Sequence, residues 1–398
     1  MKKLLFVIPS LGIGGAEKSL YGLLKYWDYN KYEVYVYPYV ERGDYCAVLP
    51  KEVKVIEPGE EYRDFFCRNM FSSCWGYLSR FRLRACWRRL KWGLLPFLYR
   101  LVGRKCHRNS RFDWSCQQMV MEKLSQDFDV AIGYMEGAPN YYVVNCVNAS
   151  KKIAWIHTDY STTFPNLEAD RAYLPKTDAI VTVSQNSKRE IVKLLPELAE
   201  KIQIIPNILD TNKIDRLKND VVKLEDAGRY RIVSVGRLVK LKGFDICIEA
   251  AKILCDKGLD FHWYFVGDGP EKEALDRQIR QLGLEEKCTL AGATDNPYAF
   301  MNRADCCVQM SEYEGRSMVI DEEHYLLKPI VASNIGSYRE TIDDGRTGLL
   351  VERNPVAAAM GILRLLEDSQ FYASIVANLV NLHIDDGHVI QAVETLLK

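Results

Sequence analysis

The sequence predicts an α/β protein of two doubly wound domains, each a parallel sheet with helices on both faces, and three observations carry that expectation. The chain has 398 residues, more than one hydrophobic core comfortably serves. Short apolar runs alternate with helix-like patterns, as in parallel sheets with crossover helices. The alternation then restarts halfway along, after a polar, charged stretch at about 208–229.

The opening run, 3–8, is apolar and is followed by Gly12, Gly14 and Gly15 and an amphipathic stretch over 16–26, which reads as strand, glycine loop and helix. Its basic start imitates a signal peptide. Pro9 interrupts the run, however, and no small-residue cleavage site follows, so a buried first strand is expected. Runs at 32–40, 129–133, 152–156 and 179–184 continue the first series. The second consists of 231–236, 261–267, 288–292, 306–310 and 329–332. The expected boundaries are 1–205 for the first domain, 206–382 for the second, and a terminal helix over 383–398 lying back on the first.

Composition is globular: 48% hydrophobic and 27% charged, with 53 basic and 53 acidic residues, which argues against disorder and against a nucleic-acid partner. The twelve cysteines are scattered and read as reduced, buried thiols of a cytoplasmic protein. No run of about 18 apolar residues exists to span a bilayer. No His/Asp cluster with metal-ligand spacing stands out.

Two loops carry candidate chemistry. SEYEGRSMVIDE at 311–322 follows a strand and enters a helix at about Ser317, where backbone N–H groups and the helix dipole make a phosphate site. Glu314 and Glu322, eight residues apart, offer carboxylates to sugar hydroxyls. GRLVKLKG at 236–243 places Arg237 and Lys242 after another strand of the same half, where cations can stabilise a leaving diphosphate. Solvated surface charge is the bland alternative for each.

These motifs, with GIGGAE at 12–17, IPNILD at 205–210, FVGDGP at 265–270 and GRTGL at 345–349, resemble the retaining glycosyltransferases of the GT-B fold, family 4. The resemblance implies two Rossmann-like domains facing across a cleft and a reaction that moves a hexosyl-type sugar, with retention and without metal. The donor is expected to be a nucleotide-diphosphate sugar, with UDP favoured over GDP, and the acceptor a glycan or lipid-linked molecule of envelope polysaccharide or glycolipid synthesis. Arg237 and Lys242 take the diphosphate, Glu322 the ribose, and Glu314 the transferred sugar. The backbone of Ser317, Met318 and Val319 completes the phosphate cradle, Gly14 and Gly15 form the first-domain wall, and His157, in IHTD at 156–159, is the cleft histidine. Glu323 and the Arg316-Ser317 pair depart from the family pattern, and an extra charge at these positions is expected to alter the pocket.

Between about 62 and 114 lies a basic insertion with thirteen cations against two acids, Asp64 and Asp113, in a chain of formal net charge +0. Leu83, Trp87, Leu90, Leu94, Leu98 and Leu101 recur every three or four positions as one helical stripe that Pro96 bends, and Trp75 and Leu78 do not continue it. Arg80, Arg84, Arg88 and Lys91 edge the stripe, with Arg82 and Arg89 on the far side of the helix. This pattern predicts contact with an anionic membrane through 75–104, hence a cytoplasmic protein peripheral on the inner face of the plasma membrane. The alternative is a stripe packed on the domain core.

A nicotinamide dehydrogenase is a rival suggested by Gly12-x-Gly14, but Glu17 stands where that fingerprint needs a small residue and would oppose a pyrophosphate. A non-catalytic relative, a sugar-nucleotide epimerase or a phosphorylase on the same fold are the other readings.

Overall fold

A computed structural model describes residues 1–12, 14–57, 59, 62, 65, 69–101, 110–160, 162, 166–222, 228–382 and 387–398. The chain divides into two compact units: Met1–Val183, Ser187–Ile208 and His388–Lys398 in the first, and Ser184–Asn186 with Leu209–Gly387 in the second.

The first unit is built on seven parallel strands: β1 (Lys2–Ser10), β2 (Tyr32–Glu41), β3 (Lys54–Val55), β4 (Asp127–Gly133), β5 (Asn148–Ile156), β6 (Ala179–Thr182) and β7 (Ile202–Ile204), in the order β3-β2-β1-β4-β5-β6-β7. β1 lies inside the sheet between β2 and β4 with both faces covered, so Leu4, Leu5, Phe6, Val7 and Ile8 are all fully buried. Leu4 pairs with Val34 on one side and Val130 on the other. The C-terminal helix, Gly387–Leu396, belongs to this unit from His388 onward. It sets Val389, Val393 and Leu396 into the cluster around Leu4, Phe6 and Ile8, and Lys2 Nζ donates to the Leu397 carbonyl at 3.0 Å.

The second unit has six parallel strands: β8 (Tyr230–Val235), β9 (Phe261–Val266), β10 (Cys288–Gly292), β11 (Cys306–Gln309), β12 (Ile330–Ser333) and β13 (Leu349–Val351), in the order β10-β9-β8-β11-β12-β13. The order reverses at β8 and β11, which lie side by side in the middle. Ligands in open parallel sheets bind beyond the carboxyl ends of strands at such a reversal. Trp263 is fully buried on β9 and donates its indole N–H to Ser234 Oγ at 3.1 Å, and Ser234 in turn donates to the Val308 carbonyl at 2.7 Å, which braces β8 against β11. Cys306 and Cys307 are buried as small apolar side chains, with burial pushing both thiols well up.

The basic insertion forms a helical hairpin, Met70–Ser79 and Leu83–Leu101, joined by the turn at 80–82. Trp75 and Leu78 stand apart from the predicted stripe because they occupy a separate helix. Arg63, Asp64, Arg68, Arg104, Lys105 and Arg108 lie outside the described residues, as do the side chains of Leu98, Arg100, Leu101, Arg111 and Asp113.

Candidate functional site

The loops after β8, β9 and β11 are knit together by backbone hydrogen bonds. Gly236 N–H donates to the Val266 carbonyl at 3.0 Å, Leu238 N–H to Asp268 at 2.9 Å, and Glu312 N–H to Leu241 at 2.9 Å. Gly243 has φ +66°, and a Cβ there would stand 2.2 Å from the Met310 carbonyl oxygen, so only glycine lets the cationic loop close on the end of β11.

That closure brings Lys242 to Glu314. The ammonium donates to the Glu314 carboxylate, and both side chains are largely buried. Ser311 donates its hydroxyl to the same Glu314 oxygen at 3.0 Å. Arg237, two residues past β8, is exposed in the same loop.

Helix Met318–Tyr325 begins where the sequence predicts. Ser317 caps it, its hydroxyl accepting from Ile320 N–H at 3.5 Å, and helix geometry leaves the N–H groups of Met318 and Val319 without an intrahelical acceptor. Glu322, on the following turn, is 1% exposed, and the Tyr298 hydroxyl donates to it at 3.5 Å. The second unit thus gathers Arg237, Lys242, Glu314, Ser317, Met318, Val319 and Glu322 around the carboxyl ends of β8 and β11.

The extra charges at 316 and 323 each meet a partner inside the unit. Arg316 forks onto Asp321, with Nε and Nη2 each 3.0 Å from a carboxylate oxygen, so the two charges cancel locally. Burial raises the Asp321 carboxyl, and Arg316 opposes that rise. Glu323 has no exposed surface and accepts from Gln309 Nε2 at 2.7 Å, and burial pushes its carboxyl up to about 8, so it is mostly neutral at pH 7. Next to it, burial pushes His324 down to about 4.

The first unit holds the remaining candidates. Gly14 caps helix Gly15–Lys25 in an extended conformation, and the Glu17 carboxylate folds back over it, 2.2 Å from where a Gly14 Cβ would stand. A side chain at position 14 therefore has to displace that carboxylate, whereas Gly15 is open. Ile13, between Gly12 and Gly14, lies outside the described residues. His157 directly follows β5. Its ring stacks on Trp155 at 5.9 Å, and its backbone N–H donates to Glu136 at 3.1 Å. Desolvation pushes the imidazole down to about 3, so it is neutral at physiological pH.

Sequence reasoning missed the partners of these groups. Ser311 lies three residues before Glu314 in the same motif, a spacing that could have marked it. Tyr298 and Gln309 carry no local signal, since they reach Glu322 and Glu323 only through the packing of other elements. Among the described residues, no group of three or more His, Cys, Asp or Glu could hold a metal ion. No described helix is long and apolar enough to cross a membrane.

Two parallel-sheet Rossmann-like units with this strand order define the GT-B fold, and the solved structures agree. Anabaena HepE in complex with UDP and glucose superposes with a TM-score of 0.70 at 20% identity, covering 100% of this chain and 99% of that one. Residues 215–379 match the family model described as glycosyl transferases group 1, a stretch that contains Arg237, Lys242, Glu314 and Glu322. The chain is 32% identical over 199 residues to an N-acetylgalactosamine-N,N'-diacetylbacillosaminyl-diphospho-undecaprenol 4-alpha-N-acetylgalactosaminyltransferase of Campylobacter jejuni, which is 49% of this chain and 53% of that protein. It is 26% identical over 275 residues to the poly(ribitol-phosphate) alpha-N-acetylglucosaminyltransferase of Staphylococcus aureus, 66% of this chain and 53% of that protein. The chain spans about half the length of these relatives.

Proposed function

We propose that the protein is a retaining glycosyltransferase of family 4 that moves a hexosyl-type sugar from a nucleotide-diphosphate donor, UDP-linked in preference to GDP-linked, to a glycan or lipid-linked acceptor of envelope polysaccharide or glycolipid synthesis. The observation that carries this reading is the convergence, in one unit, of the Arg237–Lys242 loop, the Glu314 loop and the start of helix Met318–Tyr325. The names of the two relatives, an N-acetylgalactosaminyltransferase named for a diphospho-undecaprenol and an N-acetylglucosaminyltransferase named for poly(ribitol-phosphate), support it, as does the UDP held by HepE.

In this reading the diphosphate sits at the helix start, on the N–H groups of Met318 and Val319, with Arg237 and Lys242 against its oxygens. Negative charge develops on the diphosphate as the glycosidic bond breaks, and preorganised cations stabilise it most at that moment. Glu314 holds Lys242 in place before the donor arrives and faces the transferred sugar, while Glu322 accepts from the ribose hydroxyls. Within the first unit, His157, a neutral imidazole, is assigned to hydrogen bonding with sugar hydroxyls, and Gly15, at which a Cβ would meet nothing, to an open wall. The acceptor hydroxyl enters on the face the diphosphate leaves, which retains the anomeric configuration. Cations supplied by the chain do the work a metal would do, so the reaction is assigned as metal-independent.

A thermal-shift panel of UDP, GDP, ADP and their sugar conjugates tests the reading, because a ligand that binds only the folded state raises its stability, by about 2.7 kcal/mol at a hundred times Kd. The expected outcome is a rise with UDP that Arg237→Ala and Glu322→Ala both abolish, undiminished by chelator. No rise with any nucleotide moves the protein to the non-catalytic reading. The anomer formed, read by NMR, decides retention.

A further inference from the structure

The helical hairpin of the first unit plays no part in the reading above, and its outer surface is the reverse of what burial normally produces. Along helix Met70–Ser79 the inner side chains Ser73, Cys74 and Tyr77 are buried, while Phe71, Trp75 and Leu78, one turn apart, are 80%, 76% and 47% exposed. Along Leu83–Leu101 the inner positions Ala85, Cys86 and Arg89 are buried, while Leu83 and Trp87 are 66% and 69% exposed. Phe81, on the turn between them, has φ +54° and is 91% exposed, so the tip of the hairpin projects a phenyl ring into solvent.

Three exposed cations, Arg80, Arg84 and Lys91, border this surface. Arg88 and Arg89 do not. Arg88 is half-buried and donates to the Ser115 carbonyl at 2.6 Å, and Arg89 lies buried over the rings of Trp92 and Phe65 at 5.0 and 5.8 Å. The apolar surface is therefore wider than one helical stripe, and its charged rim is narrower than spacing alone suggests.

We propose that this aromatic hairpin inserts shallowly into the headgroup region of an anionic lipid surface, with Phe71, Trp75, Phe81 and Trp87 as the inserted groups and Arg80, Arg84 and Lys91 at the phosphates. Charge selects this occupant. The insertion carries thirteen cations against two acids in a chain of zero net charge, so a second copy of the same face would meet like charge, whereas anionic lipid meets opposite charge. Ring chemistry agrees, since indole and phenyl groups edged by arginine suit the boundary between headgroups and acyl chains. No described helix can cross the bilayer, so the hairpin lies on the surface. The inference is independent of the catalytic assignment.

Flotation with vesicles of phosphatidylcholine alone and with 30 mol% phosphatidylglycerol tests it, using the full chain at about 0.1 M salt. The expected result is flotation with the mixed vesicles only, reduced at least about 10-fold both by the triple change Arg80→Glu, Arg84→Glu and Lys91→Glu and by the pair Trp75→Ser and Trp87→Ser. Arg84→Lys retains flotation, and all variants keep the parent's unfolding midpoint and its response to nucleotide. Absence of flotation in the parent, equal flotation on phosphatidylcholine alone, or indifference to both sets of changes would overturn the proposal. So would a dimer in solution that the tryptophan changes abolish, since a second copy would then cover the face.

Discussion

Two cationic regions of this protein use the same residue types in opposite ways. In the second unit three motif cations are each held against an acid: Lys242 on Glu314, Lys240 on Asp245 and Arg316 on Asp321. In the hairpin of the first unit one arginine, Arg89, is buried over aromatic rings, and Arg80, Arg84 and Lys91 stand on the surface among exposed rings. The lesson is that a cation's role follows from what immobilises it. Pairing inside a unit preorganises charge for a ligand of fixed geometry, whereas an exposed rim suits a fluid, extended surface.

The contrast is broken most directly at Lys242. If the proposed function holds, Lys242→Ala removes a preorganised cation from the diphosphate, and kcat for sugar transfer falls by about 10²–10³ with the fold intact. The same change at Arg84 leaves kcat on a water-soluble acceptor unchanged. An equal loss at both positions would end the distinction, and initial-rate assays decide it.

Within the hairpin, Arg89 and Arg84 separate structure from surface. Arg89→Ala strips a buried side chain from Phe65 and Trp92 and costs about 2 kcal/mol in denaturant unfolding, and Arg89→Met, which keeps the stem, costs less. Arg84→Ala stays within about 0.5 kcal/mol.

An effect of defined sign, read across pH, sits at Glu323. Its carboxyl is raised from its ordinary 4.5 to about 8, so between these values the folded protein holds a proton that the unfolded chain has released, and stability falls as pH rises through that window. Glu323→Gln keeps the hydrogen bond to Gln309 and removes the titration. Its advantage grows steadily from nothing near pH 4.5 up to about pH 8, read as a widening gap between the two unfolding midpoints. His157 and His324, depressed to about 3 and 4, act in the opposite sense, withdrawing stability as pH falls below about 6.5. Melting curves across pH 5–9 separate the two, and a Glu323→Gln curve parallel to the parent's would sink the burial argument.

Much of the fold was legible because buried parallel strands are continuous apolar runs. Those centred on 3–8, 129–133, 261–267 and 306–310 each coincide with a strand. The three strands not foreseen, β3, β7 and β13, are two or three residues long and lie at sheet edges, where partial exposure leaves no run to find. Candidate residues clustered in loops were legible for a related reason: glycines such as Gly243 mark places where backbones touch. The hairpin was half legible. Its stripe and its edging arginines could be counted, yet the outward face of Phe71, Trp75 and Leu78 depends on which side of each helix the unit covers.

By itself, the order of residues determined the two α/β units, the helix start at Ser317 and the choice of cations and carboxylates around it, because strand runs, caps and glycine turns are local properties. Only tertiary structure decided that Lys242 meets Glu314 from a loop 72 residues away, that burial takes the charge from Glu323, and that Arg89 turns inward while Arg84 turns out. The reason is physical. A side chain's charge state and partners are set by desolvation and by neighbours from other strands, and neither quantity exists until the sheet has brought distant segments together.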